Sequence, residues 1–164
     1  MRYVTWQEFV ALYPNVMTQT EFDLFEYDAE AWLDEWTLTV DGVQKLRVAF
    51  PTNEIDAEAV KRCIMALART AKEMADYEAQ SVASGSNGIV ASVSSGSESM
   101  SFARGGSALA RAVGDDAEKA KYIRGIVRRY LAGKRDANGV NLLYGGAYPL
   151  RIEDNNVQGY SNCL

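Results

Sequence analysis

The sequence predicts a mainly α-helical protein: a small helical bundle with one long central helix, an inserted β-hairpin and an extended C-terminal tail. Three observations support this fold class. Apolar residues recur at steps of three and four along several segments, capping boxes precede two of them, and a Ser/Gly-rich stretch interrupts the helical part. The 164 residues are 48% hydrophobic and 24% charged, which is typical of one globular domain.

Two capping boxes mark the starts of the first two helices. Thr5 with Glu8 and Thr18 with Glu21 have the spacing in which each side chain bonds the other residue's backbone N–H. They predict a short helix that Pro14 ends, followed by a longer helix.

The second helix is expected to reach about Trp36 with one apolar stripe, which we interpret as core. The stripe contains Phe22, Phe25, Ala29, Trp32, Leu33 and Trp36. The acids of this helix lie mostly off that stripe and are expected to form a solvated face: Glu21, Asp23, Glu26, Asp28, Glu30 and Asp34.

The longest predicted helix forms the centre of the bundle. A turn at Asp41-Gly42 leads to a short segment, 43–50, that Pro51 ends. The helix then runs over about 56–80, or roughly 37 Å at 1.5 Å per residue. Its buried stripe is predicted to contain Val60, Cys63, Ile64, Leu67, Ala71, Met74 and Ala75.

A Ser/Gly-rich segment follows, with weak alternation on both sides of Gly96. We predict a β-hairpin over about 86–103 that turns near residues 95–97. A flexible linker is the alternative. A lone hairpin is marginal in water, so its predicted role is contact with another subunit or protein, through Ser92, Ser94, Gly96, Ser97, Glu98, Ser99, Met100 and Phe102.

The last predicted helix starts near Asp115 and ends before Gly133, a suitable left-handed C-terminal residue. Its expected buried face contains Ala120, Ile123, Val127, Tyr130 and Leu131. Beside it lies a basic stripe of Lys121, Arg124, Arg128 and Arg135. This stripe is interpreted either as a solvated end of the helix or as a surface that faces another subunit or DNA.

The remaining residues, 136–164, show no periodicity yet contain many apolar side chains. We therefore divide the chain into a helical domain, 1–135, and an extended C-terminal docking tail, 136–164, that docks on its own chain or on a neighbour. Truncation after Gly133 is expected to leave a folded domain. The candidate docking residues are Leu142, Leu143, Tyr144 and Tyr148.

The composition argues against catalysis. The chain has no histidine, which removes the commonest general base and zinc ligand. It contains no phosphate-binding glycine motif, and its two cysteines, Cys63 and Cys163, are interpreted as reduced thiols of a cytoplasmic product. We expect no catalytic, metal-binding or cofactor-binding residues and no cofactor. Without a signal peptide or a long apolar run, we also expect no membrane partner.

Charge is distributed unevenly along the chain. Residues 1–60 carry 12 acids and 3 bases, a net charge of −9, whereas residues 115–135 carry 3 acids and 7 bases, a net charge of +4. An acidic part and a basic part on one domain favour head-to-tail packing of copies in a ring.

The order of these features resembles the head–tail connector proteins, also called adaptor or head-completion proteins, of long-tailed double-stranded DNA bacteriophages. The similarity covers about residues 3–147. Its most specific parts are the opening YVTWQEF, the hairpin sequence SVSSGSESMSF and the ending RRYLAG…LLYGG.

The resemblance implies a structural protein of the virion neck that assembles in the host cytoplasm. It implies a ring, typically of twelve subunits, that docks on the portal protein and extends the DNA channel. The ring then forms a platform for a stopper, tail-terminator or other head-completion protein, with genomic DNA passing nearby. The alternative is a small helical nucleic-acid-binding regulator that uses the basic helix, 119–135. Enzyme function is a further alternative, which would need a carboxylate pair in a pocket.

Overall fold

The computed structural model describes the backbone of residues 2–83, 92–95, 98–101 and 108–149 and the side chains of residues 2–80 and 108–149. The helices in these ranges are α1 (Trp6–Leu12), α2 (Gln19–Trp36), α3 (Lys45–Val48), α4 (Glu54–Ala83), α5 (Ala108–Gly114) and α6 (Asp116–Leu131), and the strands are β1 (Ser92–Ser95) and β2 (Glu98–Ser101). The predicted mainly helical bundle is confirmed.

Local capping starts α1 and α2 at the predicted residues. Thr5 Oγ1 accepts a hydrogen bond from Glu8 N at 3.3 Å, and Glu8 Oε2 accepts one from Thr5 N at 2.8 Å. Thr18 and Glu21 repeat the arrangement at the same two distances. Both capping boxes are therefore confirmed.

The long central helix α4 begins two residues earlier than predicted and ends three residues later. Asn53 Oδ1 accepts a hydrogen bond from Ile55 N at 2.9 Å and so caps the helix. The apolar stripe of α4 packs against α2, α5 and α6. The stripe is buried as predicted, with only Ala75 half-exposed. Its residues Val60, Cys63, Ile64 and Leu67 join one hydrophobic core, which also contains Phe9, Phe22, Leu33, Leu46, Val127, Leu131 and Leu142.

Helix α5 was not predicted from the sequence. Seven residues are too few to show a helical period, and three of them are alanine, so no apolar stripe stands out. Ala110 and Ala112 are buried, and α5 packs on α6 and α4.

Helix α6 starts at the predicted residue, since Asp115 Oδ1 accepts a hydrogen bond from Ala117 N at 2.8 Å and from Glu118 N at 3.0 Å. Ala120, predicted to be buried, is exposed.

The strands β1 and β2 pair antiparallel, with Ser92 opposite Ser101 and Ser95 opposite Glu98. Gly96, Ser97 and Phe102 lie outside the described residues, as do the segments that join the strands to α4 and α5. The predicted hairpin as an element inserted between helices therefore stays a prediction.

Glycines occupy two of the turns that the sequence predicted. Gly42 has a φ of 79° in the turn after α2, and Gly133 has a φ of 76° just after α6, a region that favours glycine because it has no Cβ. In the parts of the chain covered above, no helix has both the length and the apolar composition needed to cross a membrane.

Candidate functional site

Helix α2 carries a row of buried carboxylates, which corrects the prediction that its acids form a solvated face. Glu26, Glu30 and Asp34 are 4%, 7% and 4% exposed. Their spacing of four residues places them on one side of the helix, one turn apart. Their burial could not be predicted from the sequence because each lies beside the apolar stripe, and because their hydrogen-bond and ion-pair partners come from other parts of the chain.

Two arginines neutralise this carboxylate row. Arg2 Nε lies 3.1 Å from Glu26 Oε2, and Arg47 Nε lies 2.6 Å from Asp34 Oδ2. Tyr3 N donates a hydrogen bond to Glu30 Oε1 at 2.9 Å. Two of the three bases in residues 1–60 are thus paired with buried acids of α2, and the net charge of −9 already includes them.

One carboxylate oxygen of the row has no donor. Glu26 Oε1 is buried, and among the residues whose side chains are described no donor reaches it. Burial, together with the adjacent carboxylate of Glu30, raises the pKa of Glu26 to about 7. A proton on Glu26 would let it donate to Glu30 and remove one of two like charges. Burial also raises the pKa of Tyr3, and the charge of Asp34 adds to this effect.

The first part of the predicted tail docks on its own chain, through a buried lysine. Lys45, at 0% exposure, directs Nζ at the carbonyl oxygens of Asn141, at 3.2 Å, Leu142, at 2.8 Å, and Tyr144. An ammonium group has three protons to donate, so the three carbonyls match it. Burial lowers the pKa of Lys45, opposed by the charge of Asp136.

This arrangement places two of the predicted docking residues inside the fold, which corrects the docking role predicted for them. Leu142 is buried in the core, and Tyr148 is buried with its hydroxyl donating to Asp136 Oδ2 at 2.6 Å. Neither side chain is available to a portal or another subunit. Leu143 is half-buried and Tyr144 is exposed, so these two remain candidates. Residues 150–164 lie outside the described part of the chain.

The residues of the predicted basic stripe are all exposed, but they have different neighbours. Arg124 lies over the Trp36 ring, with its guanidinium carbon 5.6 Å from the ring centre. Arg128 and Arg135 are exposed. Lys121 instead lines a groove between α5 and α6, of about 330 Å³, together with Arg111 and Arg129.

Sequence reasoning missed Arg111 and Arg129 as members of this groove. The spacing of Lys121, Gly125 and Arg129 at steps of four could have indicated a shared face. Arg111 could not be placed without α5. The other lining residues are Ala108, Glu118, Tyr122 and Ile126, so the groove combines basic and apolar side chains.

The outward side of α2 carries a second surface that the sequence did not reveal. Leu24 and Tyr27 are 62% and 72% exposed, and Leu38 just beyond the helix is also exposed. A cleft of about 350 Å³ opens here. Tyr27, Ala31, Glu35 and Leu38 line its outer side, and Gln44, Glu30 and the Asp34–Arg47 ion pair line the rest. Together with the exposed Asp28, these residues form what we call the α2 outer face.

Comparison with protein-family models finds no matching family. No curated protein and no solved structure matches the chain. Among the residues described here, no group of three or more histidine, cysteine, aspartate or glutamate side chains is arranged to hold a metal ion. Cys63 is a buried free thiol, and burial raises its pKa to about 12.

Proposed function

We propose that this chain is a structural protein of a bacteriophage neck. In this proposal its copies form a ring of about twelve subunits, a number taken from the family resemblance, that docks on the portal protein and extends the DNA channel. The ring serves as the platform for a stopper, tail-terminator or other head-completion protein. The chain acts through its surfaces rather than through catalysis, and it assembles in the host cytoplasm before it becomes part of the virion.

The observation that carries this proposal is the α2 outer face. Large apolar side chains such as Leu24 and Tyr27 are exposed in line along a helix whose opposite side is fully used in the core. Contiguous exposed apolar side chains on a small domain mark protein–protein contact. A subunit that is covered by neighbours on assembly needs such a face, whereas a monomeric regulator does not.

The hairpin and the C-terminal segment supply further contacts in this proposal. The sheet formed by β1 and β2 has two strands, so strand addition from a neighbour would complete it. The contact residues there are those predicted from the sequence in 92–102. From the C-terminal segment, Leu143 and Tyr144 remain available, because Leu142 and Tyr148 are used within the chain.

Assembly with the portal tests the proposal. The full-length chain is purified and mixed with the portal protein of the same phage genome, and the mixture is analysed by sedimentation and negative-stain electron microscopy. We expect closed rings, alone or seated on the portal. The matched comparison is Tyr27→Ser on the α2 outer face against Tyr144→Ser on the C-terminal segment, which separates loss of ring formation from loss of portal docking.

The alternative function predicts a different result in the same samples. A nucleic-acid-binding regulator would stay small, ignore the portal and shift duplex DNA in a salt-dependent manner. That result, with loss of the shift in Arg128→Glu, would replace the connector proposal by the regulator.

A further inference from the structure

We propose that the α2 outer face of one copy docks into the α5–α6 groove of the next copy. The occupant of each surface is thus a second copy of this chain. This inference rests on the proposed function in requiring self-assembly, and it goes further by naming the two surfaces that meet.

The α2 outer face is apolar with an acidic edge. Leu24, Tyr27 and Leu38 supply exposed apolar area, and Asp28 and Glu35 lie on the same exposed side of the chain. Neither acid belongs to the buried row, so both project toward whatever covers this face. A partner that fits must offer apolar contact beside positive charge.

The α5–α6 groove has the complementary character. Tyr122 and Ile126 give it an apolar floor, and Arg111, Lys121 and Arg129 give it positive charge. Glu118 is its one acidic lining residue and lies 3.4 Å from Lys121 Nζ. Gly125, where an added Cβ would meet no atom within 4 Å, leaves room for a ring such as that of Tyr27.

The groove matches the α2 outer face both in the sign of its charge and in its apolar side chains. This match favours a second copy over nucleic acid as the occupant of the groove. Phosphate binding would use the positive charge and a tyrosine hydroxyl, but it gains nothing from the apolar side chain of Ile126 and is opposed by Glu118. The two surfaces share no residue, so one copy can use each of them with a different neighbour, and in such a head-to-tail pair one copy keeps a free groove while the other keeps a free α2 outer face. Such contacts produce rings when they close and filaments when they do not.

Charge reversal on each surface tests the contact. Variant one is Asp28→Lys with Glu35→Lys, which leaves two basic surfaces on one copy. Variant two is Arg111→Glu with Arg129→Glu, which leaves two acidic surfaces. Each full-length variant is examined alone and in an equimolar mixture by analytical ultracentrifugation at low ionic strength, where screening is weak. The control is Glu54→Lys with Glu58→Lys, two exposed acids of α4 whose reversal changes the net charge as variant one does.

We expect assembled wild-type and control protein, two monomeric variants, and recovery of particles larger than dimers on mixing. Recovery follows because each junction in the mixture again joins opposite charges. Circular dichroism confirms that each variant is folded, and the recovery on mixing is itself evidence of a folded state.

Three results would overturn the contact. They are wild-type-like assembly of both variants alone, failure of the mixture to assemble, and a wild-type chain that stays monomeric at its highest soluble concentration. If the wild-type chain is a monomer that binds duplex DNA, and variant two no longer binds it, then the groove is a nucleic-acid-binding site. If both variants form rings that dock on the portal, the contact is wrong while the proposed function stands. If mixing restores assembly but no particle binds the portal, the contact stands and the proposed function fails.

Discussion

Lys45 Nζ donates a hydrogen bond to the carbonyl oxygen of Leu142 at 2.8 Å, across 97 residues of sequence. The lysine follows α2 closely in the chain, and the leucine follows α6. The bond, with its two neighbours at Asn141 and Tyr144, fixes the C-terminal segment to the short helix α3. This segment is therefore part of the folded unit, with Tyr144 left exposed on its surface.

Replacement of this lysine should destabilise the fold. In Lys45→Met the side chain keeps most of its length, but the buried carbonyl oxygen of Leu142 and the part-buried ones of Asn141 and Tyr144 lose their donor. We expect the free energy of unfolding to fall by about 2–4 kcal/mol, since an unsatisfied buried polar group costs roughly 1–3 kcal/mol and water reaches some of them. Urea denaturation followed by circular dichroism measures the change. Lys121→Met, at a side chain that is 76% exposed, is the control and should shift the value by less than about 0.5 kcal/mol.

Two nearby residues of the C-terminal segment should respond in opposite ways. Leu142→Ala opens a cavity in the core and should cost roughly 2–5 kcal/mol, whereas Tyr144→Ala at an exposed side chain should cost less than about 1 kcal/mol. Truncation after Gly133 removes Leu142 altogether, so we now expect it to unfold the domain, contrary to the expectation from sequence. Equal effects of the two substitutions in thermal melts would contradict this arrangement.

Stability should fall as the pH rises through the titration of Glu26. Its pKa is raised to about 7 in the folded state, and an unfolded glutamate has a pKa of about 4.3. Between these pH values the folded state holds a proton that the unfolded state has lost. The stabilisation that this proton provides is therefore fully present below about pH 4.3 and is lost by about pH 7. The free energy of unfolding falls by up to ~1.4 kcal/mol per pH unit in this range. We expect Glu26→Gln, which mimics the protonated acid, to be more stable than wild type at pH 8 but not at pH 5.

The control for this pH dependence is Asp28→Asn, an exposed acid of the same helix. This substitution leaves Glu26 in place, so the loss of stability with rising pH that Glu26 causes should persist when the unfolding free energy is measured from about pH 4 to 8. Parallel curves for Glu26→Gln and wild type would show that the pKa of Glu26 is the same in the folded and unfolded states and would contradict the buried carboxyl pair.

The ion pair of Arg47 and Asp34 should show energetic coupling. Arg47→Met leaves the buried Asp34 carboxylate without its cation, and we expect a loss of about 1–3 kcal/mol. Asp34→Asn in the same chain should restore part of it, which a double-mutant cycle measured by denaturation detects. Arg62→Met breaks the exposed pair with Glu58, whose nitrogen–oxygen distance is 2.8 Å, and should cost less than about 0.5 kcal/mol. Additive effects of the first two substitutions would contradict the coupling.

Residue patterns predicted most helices because the signals that start and orient a helix are local. The stripe of α4 needed only the helical period, and its buried residues from Val60 to Met74 agree with the prediction. The groove surface was predicted only in part. Lys121 was named and Arg129 shares its face of α6 at helical spacing, but Arg111 joins them only because α5 packs on α6, and α5 is too short to have a recognisable pattern.

The sequence by itself determined where α1, α2 and α6 begin, since each cap joins residues three positions apart or closer. It also determined the apolar stripes and the turn at Gly42. Only the tertiary structure decided which charged side chains are buried. Glu30 and Asp34 are buried because Tyr3 and Arg47 reach them, and Lys45 is buried because the chain returns to it 97 residues later. A charge is buried only where a partner compensates its lost hydration, and no local pattern shows a partner so distant in the sequence.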